Sequence, residues 1–312
     1  MYYFTKDKPY NTLTEYNKVK YNAKVAKISL NASLSCPNKD GTKGFGGCSF
    51  CSPAGSGDFA GDKNKSITEQ FLDIKKIMEK KWPNILYMPY FQANSNTYAK
   101  KEVLKKLYLE AINVDRNKTV GISIATRADC INEEVIEVLK EIQALTHVQV
   151  ELGLQTSNEA TAIKINRGLS NQEFIDAVAM LRKINVEVVV HIINGLPNET
   201  KEDMLNTIHF INSLDIQGIK LHSLLVLKNT KIYNEYKNNE FKILTLDEYV
   251  DIVASQITIL KPSIIIHRLA ADGVLEDLVE PKWSSKKLVV MNNIDKYLRN
   301  NNLYQGIYYK SK

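Results

Sequence analysis

The run Glu187-Val-Val-Val-His-Ile-Ile193, followed by Asn194-Gly-Leu-Pro-Asn-Glu-Thr200 and Lys201-Glu-Asp203, contains one complete structural unit. Seven residues rich in β-branched side chains read as a buried strand. Gly195 permits a tight turn, and Thr200 with Asp203 three residues on offers an N-cap and an acidic first turn for the next helix. The same alternation recurs along the chain. Strand-like runs fall at 24–30, 85–91, 119–125, 147–155, 187–193, 218–227 and 263–267. Helix starts lie between them, at Thr68-Glu-Gln before Phe71 and at Ser170-Asn-Gln-Glu before Phe174. Strand then helix, repeated, is the pattern of a parallel sheet, because parallel neighbours need right-handed helical crossovers. The fold expected is α/β: a partial (β/α)6 barrel of the TIM-like kind over 1–260, with a short C-terminal extension over 261–312 packed on it.

The composition agrees with a folded domain. The chain has 312 residues, 44% hydrophobic and 24% charged, so a core can form without disulfides or a structural metal. Apolar runs stop far short of the roughly 18–20 residues of a spanning helix, so no membrane partner is expected. Residues 1–8 lack the apolar stretch of a signal peptide, which points to the cytoplasm. Forty-one Lys and Arg against 35 Asp and Glu give +6, compatible with an anionic partner such as nucleic acid without requiring one.

One interval breaks the rhythm. Residues 31–65, after the first strand, hold seven Gly and three of the four cysteines, spaced Cys36-x11-Cys48-x2-Cys51. A loop of that length in a compact domain is usually functional, and this one leaves the carboxyl end of a strand, where β/α folds place their chemistry. In a cytosolic protein such crowding speaks for metal ligation rather than disulfides. Three thiolates are one short of a closed zinc site, whereas on a 4Fe–4S cube they leave one iron open to a small molecule. A zinc site completed by Cys130 or a histidine is the competing reading, although there is no second Cys-x2-Cys or His pair.

The string Cys36-Pro-Asn-Lys-Asp-Gly-Thr-Lys-Gly-Phe-Gly-Gly-Cys48-Ser-Phe-Cys51 resembles the radical S-adenosylmethionine (SAM) superfamily, in its branch with an eleven-residue first gap that contains the elongator complex's catalytic subunit, a tRNA-modifying enzyme. The resemblance implies a barrel of the radical SAM type. It implies a 4Fe–4S cluster on Cys36, Cys48 and Cys51, with SAM chelated at the open iron and Phe50 packed near the adenine. Val150-Glu-Leu-Gly-Leu-Gln155 with Asn166-Arg167-Gly168 is similar to the elongator-type fourth strand, so Glu151, Gln155 and Arg167 are implied SAM contacts. Glu151 and Gln155 share a face if the strand is regular. Gly195-Leu-Pro-Asn-Glu-Thr200 looks like the family's turn after the fifth strand, with Ile192 or Ile193 as an adenine wall, and Leu225 belongs to an elongator-type sixth strand. The Gly-Gly-Glu of many members is replaced by Tyr90-Phe-Gln-Ala-Asn-Ser-Asn-Thr-Tyr98, so Gln92, Asn94 or Asn96 is left to accept from the SAM amino group. The elongator subunit's acetyltransferase-like domain has no counterpart here.

The smaller set that this chain resembles is the YhcC/YtqA-type bacterial radical SAM proteins, through Cys-Pro-Asn-x-Asp-Gly, Tyr-Phe-Gln-Ala, Thr126-Arg-Ala-Asp-Cys130, His267-Arg-Leu269 and Pro281-Lys-Trp283. That set implies modification of tRNA at the C5 side chain of a wobble uridine: SAM is cleaved to methionine and a 5′-deoxyadenosyl radical, with an electron donor such as flavodoxin or ferredoxin. Catalytic candidates among this chain's residues are Cys130, Arg127 and His191, each with a plain alternative: a small buried thiol, an ion pair with Asp129, and a core histidine. Arg127 suits an anionic substrate. Lys282, Lys286 and Lys287 beside Trp283 are candidates for RNA backbone contacts. Two other readings stand beside this one: a radical SAM enzyme acting on a small molecule, and a non-catalytic iron–sulfur RNA-binding protein using the tyrosines of 304–309 for stacking.

Overall fold

The computed structural model describes residues 3–55, 57–271 and 273–310. The strands are β1 Val25–Leu30, β2 Leu86–Phe91, β3 Gly121–Thr126, β4 His147–Gln155, β5 Glu187–Asn194, β6 Gly218–Ser223, β7 Val226–Leu227, β8 Ile265–Arg268 and β9 Leu278–Glu280. The helices are α1 Leu13–Tyr21, α2 Ile67–Lys81, α3 Lys101–Asn113, α4 Glu133–Gln143, α5 Glu159–Lys164, α6 Asn171–Lys183, α7 Lys201–Asn212, α8 Lys231–Lys237, α9 Leu246–Ile259 and α10 Lys287–Asn300. Seven strands form one sheet in the order β1-β2-β3-β4-β5-β6-β8, every neighbouring pair parallel. The sheet curls into the partial barrel anticipated from the strand–helix alternation.

Three local expectations change. The run 218–227 is two strands, because the chain leaves the sheet at Leu224 and Leu225; Val226 and Leu227 then pair antiparallel with β9. No Gly, Pro, Asn or Asp stands between Ile219 and Leu227 to mark such a break. Helix α2 starts one residue before Thr68, at Ile67: Ser66 is the N-cap, and its hydroxyl and the Glu69 carboxylate form a reciprocal capping box. Ile265–Arg268, beyond residue 260, adds a seventh strand beside β6.

Strand parity sorts the side chains. On β4 and β5 the residues Val148, Val150, Leu152, Leu154, Val188, Val190 and Ile192 are buried against the surrounding helices. The alternate residues, among them Gln149, Glu151, Gly153, His191 and Ile193, face the barrel interior. Residues near the two ends of the chain close the seam at β8. Thr12 bridges Ile266, the Ile266 amide donates to Asn11 O at 2.8 Å, and Gln305 Oε1 accepts from the Asn11 amide at 2.8 Å.

Candidate active site

One cavity of about 600 Å³ opens at the carboxyl ends of the strands and runs down into the barrel. Cys36, Cys48 and Cys51 all line it, as do Phe50, Gln92, Gln155, Ile193 and Leu225. Glycines let the cysteine loop fold so tightly: Gly46 and Gly47 both take φ of +77°, which side chains rarely tolerate. Cys48 and Cys51 face each other. A hydrogen bond between the thiols, followed by nearby Arg127, draws Cys48 down to about 7, while Cys51 is held well above its ordinary value.

Cys130 stands apart from this set. It is buried on the turn after β3, its thiol points at Asp129 Oδ1 3.9 Å away, and burial pushes it up to about 12. A four-cysteine zinc site is therefore not assembled, and Cys130 is a neutral core thiol. Arg127 is half of a bidentate pair with Asp129, both bonds 2.9 Å, and two further N–H groups go to Arg167 O and Gly168 O.

Three implied cofactor contacts are displaced, one of them Glu151, whose carboxylate is taken up by protein groups in the layer below. Ile192 has helix-side parity and lies 1% exposed in the core; Ile193, its neighbour, reaches the cavity. Arg167 touches the cavity wall, but its guanidinium donates to Leu154 O, Thr156 O, Leu169 O, Glu159 and Asn171. With its N–H groups all engaged it is a structural clamp on the turn after β4. Gln155 keeps inward parity although the register slips beside it and its φ is +67°.

The lower cavity is a polar layer that sequence reasoning largely missed. Glu151 on β4 accepts from Ser123 Oγ at 2.8 Å, from Gln149 Nε2 at 3.1 Å and from His191 Nε2 at 2.6 Å. It also pairs with Lys27 of β1 and Lys220 of β6. Both ammonium groups sit over the Tyr90 ring, 4.6 and 4.7 Å from its centroid. Burial alone would push the Glu151 carboxyl up; Lys220, Lys27 and His191 outweigh it and hold it well below the usual carboxylate range. His191 is driven down to about 4, first by burial and then by Lys220, so at neutral pH it is an uncharged donor to Glu151. The available signal was a lysine at inward parity within each of two apolar strands, Lys27 and Lys220.

Lys220 is pushed down to about 7: burial, the largest influence, together with Lys27 and Arg268 outweighs the pull of Glu151. Lys27 keeps the carboxylate compensated when Lys220 loses its proton. In the unfolded chain the lysine holds that proton up to its ordinary 10.5. Between pH 7 and 10.5 the unfolded state thus binds more protons, and folding stability rises with pH by up to about 1.4 kcal/mol per unit. Urea midpoints at pH 7 and 9 should show this rise in the parent and lose it in Lys220→Met; equal slopes in both would refute the assignment.

The upper cavity carries unmet hydrogen-bonding capacity. Among the described residues, Asn94 Oδ1, Ser95 Oγ, His222 Nε2 and Ser223 Oγ are buried without a partner, and all four residues line the cavity. Native interiors leave few such atoms, so these await a polar ligand. Three thiols and a row of orphaned polar atoms on one chamber fit a cluster together with a small polar molecule bound beside it.

Comparison with known proteins accounts for that arrangement. The model of the Radical SAM superfamily matches residues 41–211, and that of the Radical_SAM C-terminal domain matches 216–300. The chain belongs to the radical SAM superfamily. Members use a 4Fe–4S cluster and SAM, and they are enzymes. The chain is 42% identical over 308 residues to uncharacterized protein YtqA of Bacillus subtilis, covering 99% of this chain and 95% of that protein. It is 28% identical over 159 residues to Elongator complex protein 3 of Schizosaccharomyces pombe, half of this chain and 28% of that protein. In fold it is similar to the archaeal Elp3 of Methanocaldococcus infernus, with a TM-score of 0.70 at 19% identity over 91% of this chain and 64% of that one. Among the described residues no helix is long and apolar enough to cross a membrane.

Proposed function

We propose that this radical SAM enzyme modifies tRNA at the C5 side chain of a wobble uridine. The observation that carries the reading is the deep chamber that joins the cysteines to a cationic floor. Radical chemistry on a base needs the base out of its stack and enclosed, and a chamber of about 600 Å³ can take a small cofactor and an extruded nucleoside end to end. The elongator-type motifs of the cysteine loop, fourth strand and sixth strand point to RNA as the source of that nucleoside, and the charge of +6 is compatible with it.

When bound and reduced, the cluster with SAM supplies reductive cleavage of SAM and hydrogen abstraction from the substrate. The chain does the rest. Cys36, Cys48 and Cys51 ligate; Phe50, Gln92, Gln155, Ile193 and Leu225 surround the SAM position; Asn94, Ser95 and Ser223 hydrogen-bond what lies against them. Lys220, held by Glu151, faces the substrate end. Phe59 and Leu275, both exposed at the mouth, limit access of water. The electron comes from a flavodoxin or ferredoxin, and the reaction takes place in the cytoplasm, where tRNA is available.

The test compares the modified nucleosides of tRNA from cells with and without the gene, together with tRNA binding by the purified protein. Loss of a C5-substituted uridine, or accumulation of its precursor, is expected. Binding should fall steeply between about 50 and 200 mM salt, because several phosphate contacts release counterions. Unchanged nucleosides together with no salt-dependent binding would move the substrate to a small molecule.

The surfaces first considered for RNA contact contribute less than their composition suggested. Trp283 stacks on Tyr249 and donates to Leu244 O, and Lys282 caps Leu278 O. Tyr304 and Tyr308 are exposed, but their segment is bonded to Ile257, Thr258, Lys261 and Ile264 near the amino end of β8, opposite the mouth. This weakens the reading of the chain as a non-catalytic RNA-stacking protein.

A further inference from the structure

The cysteine loop is stitched to the turn after β4 by a set of hydrogen bonds centred on Asn38. This residue is 1% exposed. Its Nδ2 donates to Asn166 O at 2.7 Å, and its carbonyl accepts from the Gly47 amide at 2.8 Å. Asn166 returns a bond from its own Nδ2 to Gly47 O at 2.8 Å, and the Ser49 amide donates to Ile165 O at 2.9 Å. Arg127 holds the far side of the same turn through Arg167 O and Gly168 O. The motif Asn166-Arg167-Gly168 thus acts through its backbone and the Asn166 side chain as a bracket for the loop that carries the cysteines.

Bracketing explains one of the two N–H groups of the Asn38 amide. The other is within reach of Cys48 Sγ, 3.7 Å from Nδ2, an ordinary length for an N–H···S bond. The surroundings are cut away for this amide. A Cβ on Gly44 would stand 2.4 Å from Asn38 Oδ1, and one on Gly168, from a different segment, 2.8 Å. Two glycines from separate parts of the chain therefore leave one orientation open, with the donor aimed at a sulfur that is also a cluster ligand in the reading above.

We infer that Asn38 is a positioning residue that sets the reduction potential of the cluster through its hydrogen bond to the Cys48 sulfur. A donor to a ligand sulfur withdraws negative charge from it, and the reduced cluster carries one more negative charge than the oxidised one. The bond is stronger in the reduced state and raises the potential, easing entry of the single electron delivered by the flavodoxin- or ferredoxin-class donor. This rests on the superfamily's cofactors and not on the identity of the substrate.

Two measurements on anaerobically reconstituted full-length protein test it. In the parent chain, asparagine labelled with nitrogen-15 only at Nδ should give a nitrogen coupling to the reduced cluster in pulsed electron paramagnetic resonance. Absence of that coupling overturns the proposal, and no variant has to fold for the result to count. In Asn38→Leu, and in Gly44→Ala, where the amide is displaced but kept, the ratio of reduced to oxidised cluster at fixed potential should fall about three- to tenfold, a negative shift of about 30 to 60 mV for one electron. Asn166→Ala loosens the bracket but retains the donor; it should lower iron content more than it moves the potential. An unchanged potential in whatever cluster Asn38→Leu and Gly44→Ala retain would leave Asn38 a bracket alone and overturn the inference. The nucleoside comparison reads the substrate separately, so failure of one proposal is distinguishable from failure of the other.

Discussion

Replacing any one of Cys36, Cys48 or Cys51 by Ala is expected to take reconstituted protein from about four iron per chain to below one, and to abolish SAM cleavage. The three thiols line one chamber, and Cys130, the remaining cysteine, is turned to Asp129 and cannot substitute for them. A cube held by two thiolates is exposed and readily lost, so the effect is close to all-or-none. Cys130→Ala should keep its iron, its spectrum and its response to SAM. Iron and sulfide assays, with 5′-deoxyadenosine measured under reducing conditions, settle the matter. Loss of iron from Cys130→Ala equal to that from Cys48→Ala would overturn the ligand set.

The second large effect is expected at Glu151. Glu151→Gln keeps the shape of the side chain and removes the anion from between Lys27 and Lys220, whose side chains are 21% and 7% exposed. At pH 6, where Lys220 still holds its proton, removing the carboxylate leaves uncompensated buried charge, and the cost is about 3–5 kcal/mol. Denaturant unfolding should show a lower midpoint at unchanged slope. The double variant Glu151→Gln with Lys220→Met removes one orphaned cation and should recover part of the loss, whereas independent sites would add. Iron content should stay at the parent level, because the cysteines lie above this layer. A Glu151→Gln protein as stable as its parent would show that the cavity floor is hydrated enough to dispense with the carboxylate.

The strands were legible because each is a β-branched run bounded by turn residues, and the helices because reciprocal caps such as Ser170 with Glu173 mark their starts. The cysteine spacing was legible as chemistry. The motifs around it were legible as a family, but not in how each residue is used. Arg167 sits where a cofactor contact was expected and spends its guanidinium on protein acceptors. Adjacent Ile192 and Ile193 differ only in parity, and parity cannot be assigned until the pairing of β5 is known. Lys27 and Lys220 are 193 positions apart and meet only because the sheet curls, so no local pattern could pair them with Glu151. Asn38 escaped for the same reason: its two acceptors lie 128 and 10 positions away, and only the folded loop brings them to one amide.

The seam at β8 has a consequence for how the protein is made. Asn11 finds its partner in Gln305, 294 positions later. At 5–20 residues per second about 15 to 60 s of synthesis separate them. Between the completion of β6 and the arrival of β8 its edge is bare, while the stretch from Cys36 to Cys51 has long been complete. The nascent barrel is thus a trough rather than a closed vessel. Its thiols face the ribosome's surroundings for most of translation, and the contact that seals the trough is among the slowest to form, since it spans nearly the whole chain.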